Sequence, residues 1–254
     1  MNILQGIDKL DTKNYSTAIR LARTPLVMTK RAIDIVIGTL LCVIALPIIA
    51  VGALVVMVTL RTTSPFFTQT RIGRGGTGIR FPKLRTMPKS MPAYTLKTAA
   101  AFGELSAVSQ FLRNTHIDEL PQLVLVIKGD LSLVGPRPKM PDAVEPVARH
   151  YGRMRVRVPQ GCTGLWQISR HKTELPDSHP EYDQFYVANQ STALDLWILW
   201  RTLAHGLRIT RLITLDDVPA WVRARHGAPV LRLLDLTEHE RGGEFAPART
   251  NSAS

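Results

Sequence analysis

An uncharged apolar run at residues 35–60 constrains this chain more than any other feature of its sequence. The run has 26 residues without Asp, Glu, Lys or Arg. As an α-helix rising about 1.5 Å per residue, it is longer than the ~30 Å hydrocarbon core of a bilayer. A signal peptide has a shorter apolar region and a cleavage site of small residues, and no A-x-A pattern directly follows this run. The run therefore predicts insertion into a membrane.

The flanks of the run bear on its path through the membrane. Pro47 lies at its middle, where proline removes one helical hydrogen bond and favours a kink. Lys30 and Arg31 precede the run and Arg61 follows it, and basic flanks favour the cytoplasmic side. A helix that breaks at Pro47 and re-enters satisfies both flanks, whereas a kinked helix that crosses satisfies one; both remain open here. Asp34 is expected either to pair with a neighbouring cation or to stay solvated.

The charge balance predicts a polyanionic partner. The net charge is +12 with a pI near 10.2, and no acid but eight Lys and Arg residues lie between Asp34 and Glu104. Nucleic acid, anionic lipid and a phosphorylated substrate all fit such an excess. The neighbouring membrane segment favours lipid headgroups or a lipid phosphate.

Two common kinds of site are excluded. Cys42 and Cys162 are the only cysteines and form no C-x-x-C pair, which argues against a disulfide framework or a cysteine zinc site. Glycines at G-x-G-x-x-G spacing occur in residues 73–78, between predicted strands at 66–72 and 79–87. Because a strand follows them, they predict a hairpin turn and no dinucleotide site.

Lys83 and Arg85 share one face of the second strand and are candidates to receive a diphosphate.

Helical patterns occupy much of the remaining chain. They lie at residues 104–112, 117–127 and 192–213, which together with the hairpin predict a mixed α/β fold that is mainly helical. Residues 192–213 carry Trp197 and Trp200, as expected for a helix in the membrane interface, although packing on the core fits equally. A polar tail that looks disordered begins at residue 216.

Asp118 and Glu119 are the candidate catalytic carboxylates. Adjacent side chains on a helix point about 100° apart, so the two carboxylates are expected to take different tasks. Proline is tolerated in the first turn of a helix, so Pro121 places both carboxylates at a helix N-terminus. The helix dipole keeps a carboxylate ionised there. An ionised Asp can attack phosphorus and a Glu can hold Mg²⁺. Alternatively, Asp118 is an N-cap and Glu119 an ordinary first-turn acid.

Arg137 is the candidate phosphate ligand. Gly135 and the prolines at 136 and 138 stiffen the backbone around it, which suits a guanidinium that meets a phosphate with two parallel hydrogen bonds. A rigid turn with an exposed arginine is the other interpretation.

The order of these segments resembles the bacterial sugar transferase family, the small monotopic polyprenyl-phosphate phosphoglycosyl transferases. The resemblance runs over residues 30–205 through five ordered motifs. They are KR-x-x-D before a proline-interrupted apolar helix, FFTQTRIGRGGTGIRFPKLRTM, LRNTHIDELPQL with KGDLSLVGPRP, VPQGCTGLWQIS, and EYDQFYVANQSTALDLWIL.

This resemblance implies an architecture and a location. Pro47 matches the break of a re-entrant membrane helix at residues 30–62, preceded by an arm at 1–29. A compact catalytic domain at 63–215, with a short β-hairpin and interfacial amphipathic helices, would lie on the cytoplasmic face of the bacterial inner membrane. Residues 216–254 would form a partly disordered tail.

The resemblance also implies a reaction. Asp118 would attack the β-phosphate of a UDP-sugar and release UMP, and polyprenyl (undecaprenyl) phosphate would then take the phosphosugar. Glu119 would bind Mg²⁺, and Lys83, Arg113 and Arg137 would contact substrate phosphates. Such a transfer is the first membrane step of exopolysaccharide, capsule, O-antigen or glycoprotein glycan synthesis.

Departures from the family pattern leave the sugar open. His116 stands where a serine is common, and Arg170-His171-Lys172 stands where Gly-Arg is common. The alternatives are a non-catalytic basic membrane adaptor that binds anionic lipid and a Mg²⁺-dependent diphosphate hydrolase. A nucleic-acid partner is disfavoured, because the basic residues are not interleaved with aromatics on a strand platform.

Overall fold

Helix α1, Thr12–Thr59, is the longest element of the protein. The computed structural model describes residues 12–87, 105–140 and 154–222, and within them α1 is the one helix whose length and composition would let it cross a membrane. Its helical conformation continues through Pro47 and across the boundary predicted at residue 30. The structure has no interruption at Pro47, so the re-entrant path stays a prediction. Residues 1–11 lie outside the described part of the chain.

One face of α1 packs on the rest of the protein from residue 30 to residue 56. The buried positions recur at helical spacing and are Lys30, Asp34, Gly38, Ala45, Gly52 and Val56. The two glycines permit close approach, since a Cβ at Gly38 would lie 3.1 Å from Val126 and one at Gly52 only 2.8 Å from Leu84. The opposite face is apolar and exposed, with Val36, Val43, Val51 and Val58 in a row.

Polar side chains at the start of this stripe bond to backbone groups. Asp34 is buried and accepts hydrogen bonds from Ser132 Oγ (3.0 Å) and from the Leu133 N–H (2.9 Å). Both expectations for Asp34 were therefore wrong, because a buried N–H needs an acceptor and Asp34 supplies it. The Arg31 guanidinium donates to the carbonyls of Val126 and Ile127 at 2.6 Å each. It thereby satisfies carbonyls that a helix end leaves without intrahelical partners.

A buried ion pair joins α1 to the core. Lys30 Nζ donates to Asp195 Oδ2 at 2.8 Å and to the Val134 carbonyl at 2.9 Å, and the Tyr186 hydroxyl donates to Asp195 Oδ1 at 2.7 Å. Burial raises the pKa of Asp195, and Lys30 opposes that rise. The pair closes a contact between residues far apart in the sequence.

Replacing Lys30 should destabilise the protein strongly. Lys30→Met leaves the buried Asp195 carboxylate without its cation, and breaking such a pair costs about 3–5 kcal/mol of unfolding free energy. Thermal or denaturant unfolding of the detergent-solubilised chain measures the loss. Lys128→Met, at an exposed position, is the matched control. Equal stability of the two variants would contradict a structural role for the pair.

The predicted hairpin is confirmed. Strands β1, Phe66–Ile72, and β2, Gly78–Leu84, pair antiparallel with Phe66 opposite Leu84 and Ile72 opposite Gly78. β2 ends at Leu84, whereas the sequence predicted that this strand would continue to residue 87. The turn holds Gly75 and Gly76 at φ of 67° and 79°, values that glycine adopts without steric cost.

The remaining elements form the domain on which α1 packs. Besides several three-residue 3₁₀ turns, they are α2 (Ala107–Asn114), a 3₁₀ helix (Ile117–Gln122), α3 (Leu123–Lys128), β3 (Ser132–Val134), β4 (Gly161–Thr163), α4 (Pro180–Asn189) and α5 (Thr192–Gly206). The fold is mixed α/β and mainly helical, as predicted. The parallel pair β3–β4 was not predicted, because three-residue strands show no periodicity.

Helix α5 packs on the core with one face and leaves another uncovered. Leu194 and Ile198 are fully buried, while Trp200 is 57% exposed and Leu196 and Leu203 are also exposed. The prediction that this helix packs on the core is confirmed for its inner face. The helix ends at Gly206, whereas the predicted helical pattern continued to residue 213. Val222 is also buried, and the domain boundary at 215 stays a prediction. The tail predicted to be disordered lies outside the described residues from 223 onward.

Candidate functional site

A left-handed residue introduces the turn that carries the two carboxylates. α2 ends at Asn114, and His116 adopts φ 57°, which a residue other than glycine adopts only at some cost. The 3₁₀ helix then begins with Asp118 and Glu119 in its first turn, as predicted. His116 occupies the N-cap position, so the alternative that Asp118 is an N-cap was wrong. Pro121 lies inside this 3₁₀ helix, ahead of α3.

Glu119 is the centre of a cluster of buried charges. Its Oε1 lies 2.6 Å from Lys83 Nζ and 2.7 Å from Arg137 Nη2, and its side chain is only 16% exposed. Burial alone would raise the pKa of Glu119, but Arg137 and Lys83 outweigh it and hold the pKa well below the ordinary value. Glu119 is thus ionised across the physiological range and is no ordinary first-turn acid.

Asp118 stands beside the same arginine. It is buried, and its charge adds to that of Glu119 in raising the pKa of Arg137, with Glu119 the larger cause. Two carboxylates and two cations, Lys83 and Arg137, therefore lie together although they come from three separate segments of the chain. The structure thereby brings together Lys83, Asp118, Glu119 and Arg137, which the sequence assigned to catalysis or phosphate binding.

Close backbone packing fixes the segment that carries Arg137. The Gly135 N–H donates to the Thr163 carbonyl and the Gly161 N–H to the Pro136 carbonyl, each at 2.9 Å. A Cβ at Gly135 would lie 2.3 Å from the Pro159 carbonyl oxygen, so no larger residue fits without a shift of the backbone. The contacts with β4 hold this turn in place in addition to the two prolines, and its predicted role in presenting Arg137 stays a prediction.

Sequence reasoning missed a second arginine that supports the first. Arg155 is buried and donates from Nη2 to the Arg137 carbonyl at 2.6 Å, while its Nε lies 3.1 Å from Asp183 Oδ2. Asp183 is on α4, 28 residues away. No local pattern joins these two positions, and only the quoted family motif around Asp183 pointed to that segment.

The remaining candidates are Arg113, Arg85 and Pro47. Arg113 is half-buried in the last turn of α2, and its phosphate role stays a prediction. Arg85 was wrongly grouped with Lys83, because its guanidinium donates to the carbonyls of Ser64 and Phe66. Pro47 lies in α1, on the wall of the cavity described next.

An apolar cavity of about 660 Å³ lies between α1 and α2. Its walls are the second half of α1, from Pro47 to Val55, the apolar face of α2, and Ile117. Ile117, the residue of this wall that directly precedes Asp118, is the first residue of the 3₁₀ helix. Such a space suits a hydrocarbon chain whose polar end reaches the carboxylates.

The donor set near Asp118 fits Mg²⁺. This ion prefers oxygen ligands and is usually held by one or two carboxylates together with substrate phosphates. Both cations contact Glu119 at Oε1, which leaves Oε2 as the side from which a metal would be held. The thiol of Cys162 is no competing ligand, because burial and the nearby Glu119 raise its pKa to about 12.

Comparison with known proteins bears on this geometry. Residues 26–208 match the family model described as bacterial sugar transferase. The chain is 34% identical over 190 residues to an uncharacterized sugar transferase of Haemophilus influenzae, covering 68% of this chain and 40% of that protein. It is 31% identical over 195 residues to the UDP-galactose-lipid carrier transferase of Erwinia amylovora, covering 70% and 40%.

A relative of more similar length is also found. The UDP-glucose:undecaprenyl-phosphate glucose-1-phosphate transferase of Caulobacter vibrioides is 33% identical over 211 residues, covering 78% of this chain and 74% of that protein. The chain spans less than half the length of the Haemophilus and Erwinia relatives. The family match covers well over half of this chain and includes all the carboxylates and cations of the site. The protein belongs to the bacterial sugar transferase family.

Proposed function

We propose that this protein transfers a sugar 1-phosphate from a UDP-sugar to a polyprenyl phosphate at the cytoplasmic face of the bacterial inner membrane. The observation that carries the proposal is the pair of adjacent carboxylates beside Lys83 and Arg137, directly after Ile117 on the wall of an apolar cavity lined by α1 and α2. The names of the Caulobacter and Erwinia relatives support the donor class and the lipid acceptor. Such a step would begin the assembly of a lipid-linked glycan for exopolysaccharide or another surface polymer.

The reaction is proposed to proceed in two displacements at phosphorus. A carboxylate oxygen of Asp118 attacks the β-phosphorus of the donor, and the bond from that phosphorus to the bridging oxygen breaks, so that UMP leaves. A phosphate oxygen of the acceptor then attacks the same phosphorus, and the bond to Asp118 breaks. The products are polyprenyl diphosphosugar and the original carboxylate, and no proton or electron is left over.

Lys83 and Arg137 are proposed to stabilise the charge on the transferred phosphoryl group. Glu119 holds both cations through one oxygen, so they are already oriented before the donor binds. Arg155 fixes the backbone of Arg137 from behind. When bound, Mg²⁺ would neutralise charge on the diphosphate, with Glu119 as its protein ligand.

The apolar cavity is the proposed place for the acceptor's isoprenoid chain. Its walls come from α1 and α2 and carry almost no polar surface. The phosphate of an acceptor lying there would reach Asp118 past Ile117. This arrangement disfavours a plain lipid adaptor, which needs no carboxylate pair, and it disfavours a hydrolase, because a chain in the cavity excludes water from that side.

The contacts of α1 support a re-entrant path. Lys30 at one end bonds to α5 and β3, and Val56 at the other packs with Leu84 and Leu112. Residues 30 and 56 of a straight helix would be about 39 Å apart, more than a hydrocarbon core. One domain therefore touches both ends, and a domain that stays on one side of the membrane would keep both ends there.

Both flanks of the apolar run at residues 35–60 should accordingly face the cytoplasm. Cysteines placed singly at positions 20 and 230, in a variant without the two native cysteines, should react with a membrane-impermeant thiol reagent only after the inner membrane is opened. A periplasmic control cysteine in a known membrane protein verifies that the reagent enters. Reaction of either site in intact cells would refute the re-entrant path.

Arg137→Lys should lower turnover by about 10²-fold while the protein stays folded. Lysine keeps the charge, but it cannot contact Glu119 and offer further N–H donors in one plane to a phosphate. Initial rates of transfer and thermal unfolding measure the two effects. Arg85→Lys, whose arginine binds hairpin carbonyls, is the matched control. Near-normal turnover of Arg137→Lys would show that Arg137 is only part of a rigid turn and does not bind a phosphate.

The direct test supplies membranes that contain the protein with a panel of UDP-sugars labelled in the β-phosphate, together with polyprenyl phosphate. Label that enters the lipid fraction identifies transfer and the sugar at once. Label released as free sugar phosphate would instead indicate the diphosphate hydrolase. Binding of anionic vesicles without any turnover of the panel would indicate the adaptor.

A further inference from the structure

A loop that the proposed reaction does not use brings two histidines and a glutamate together. His171 Nδ1 lies 2.7 Å from Glu174 Oε1, and His179 Nε2 lies 2.8 Å from Glu174 Oε2. The three ligand atoms all lie within 4.8 Å of one another. The two imidazole rings stack with centroids 3.8 Å apart and 27° between their planes. This His-Glu-His cluster begins where the chain departs from the common pattern after residue 169.

We propose that the His-Glu-His cluster binds a zinc ion, with His171 Nδ1, Glu174 and His179 Nε2 as its protein ligands. Two imidazoles and a carboxylate are a usual donor set for zinc, and a fourth, open position takes water. Zinc bonds of about 2.0–2.1 Å in a tetrahedron place neighbouring ligand atoms about 3.3 Å apart. The two contacts to Glu174 would need to open by only about 0.5 Å. The stacked rings of His171 and His179 would also have to rotate apart, so that both ring nitrogens point to one ion.

A carboxylate behind one ligand supports the assignment. Glu181 Oε1 lies 3.0 Å from His179 Nδ1, the ring nitrogen that faces away from the cluster. Histidines that bind metals almost always donate this second N–H to a carboxylate, carbonyl or water, which fixes the tautomer and the ring. Glu174 and Glu181 thus hold the two nitrogens of His179 from opposite sides.

The chemistry of the donors favours zinc over magnesium. Magnesium prefers an octahedron of oxygens, whereas imidazole nitrogen suits zinc and other first-row transition metals. The Glu174 side chain is 51% exposed, His171 36% and His179 17%. A metal can therefore enter, and a water can complete the site, without unfolding of the loop. The alternative is a metal-free cluster held by hydrogen bonds alone.

The bound metal would have a structural consequence for the transferase site. His179 directly precedes α4, and Asp183 in the first turn of that helix holds Arg155, which holds the Arg137 carbonyl. An ion pair between Lys139 and Asp177 ties the same loop to the segment just after Arg137. Zinc would therefore fix the start of α4 and, through it, the support of Arg137. It would touch neither donor nor acceptor.

Metal content and spectra of the full chain test the proposal. The protein is purified in detergent without a polyhistidine tag, stripped with a chelator, and titrated with ZnCl₂ or CoCl₂. We expect one equivalent of zinc to be retained, visible absorption of four-coordinate cobalt, and a rise in Tm of roughly 5 °C at saturating zinc. His179→Gln and Glu174→Gln should lose all three signals. Glu181→Gln should weaken zinc affinity about 10- to 100-fold.

His205→Gln is the matched control, since that histidine lies outside the cluster and should leave zinc binding unchanged. Absence of stoichiometric zinc in the unaltered chain would overturn the proposal, as would equal zinc binding by His179→Gln. Because these signals do not depend on sugar transfer, they stand or fall separately from the proposed reaction.

Discussion

Asp118→Asn is expected to abolish sugar-phosphate transfer, with a loss of roughly 10⁴-fold or more, as when other covalent enzymes lose their nucleophile. Asparagine has nearly the same shape but no charge with which to attack phosphorus. The cations that would bind the diphosphate remain, because Lys83 and Arg137 are held by Glu119. Donor binding and folding should therefore persist while UMP release stops.

Intact-mass analysis after rapid quenching decides the chemistry of Asp118. With donor alone, the unaltered protein should gain the mass of one phosphosugar, and Asp118→Asn should gain none. Asp130→Asn, at an exposed position, controls for the substitution itself. If the unaltered protein forms no adduct yet transfers label once acceptor is added, direct transfer replaces the covalent scheme and Asp118 is a base or a metal ligand.

Glu119→Gln is expected to slow both displacements by roughly 10²- to 10³-fold. Removal of the carboxylate deprives Lys83 and Arg137 of the oxygen that holds them 2.6 and 2.7 Å away, so neither cation stays oriented toward the phosphate. The Mg²⁺ dependence should weaken as well. In contrast to Asp118→Asn, the adduct should still form, but slowly, and should also be discharged slowly.

Glu119→Asp separates charge from reach. It keeps the anion but withdraws it by one methylene, so it should retain Mg²⁺ dependence and recover part of the activity lost in the glutamine variant. Single-turnover rates of UMP release and of lipid labelling, measured across a magnesium titration, give both quantities. A glutamine variant whose rates and metal dependence match those of the unaltered protein would remove Glu119 from the reaction.

Local chemistry made part of this molecule predictable. The uncharged run, the glycine turn between two strands and the first-turn position of Asp118 and Glu119 each depend on neighbours in sequence, and the structure has all three. The proximity of Lys83, Glu119 and Arg137 could be assigned only through family resemblance, because they lie 36 and 18 residues apart and meet only in the folded chain.

The errors have the same physical origin. Asp34 was predicted to pair with a cation or to stay solvated because it lies at the edge of the apolar run. It instead accepts a hydrogen bond from the N–H of Leu133, a partner 99 residues away. Arg85 was grouped with Lys83 by strand alternation, but β2 has ended by then and its guanidinium meets hairpin carbonyls. Burial and long-range hydrogen bonds override patterns that consider one element alone.

The stripe of α1 that packs on the domain has a practical consequence for anyone who wishes to study this protein in water. Deleting α1 to obtain a soluble fragment would remove Lys30 from Asp195, Asp34 from Leu133, and Val56 from Leu84. What looks in the sequence like a detachable anchor contributes side chains to the same interior as the reaction site. Detergents, nanodiscs or redesign of its outward valines are therefore the routes to a workable sample, and truncation is not.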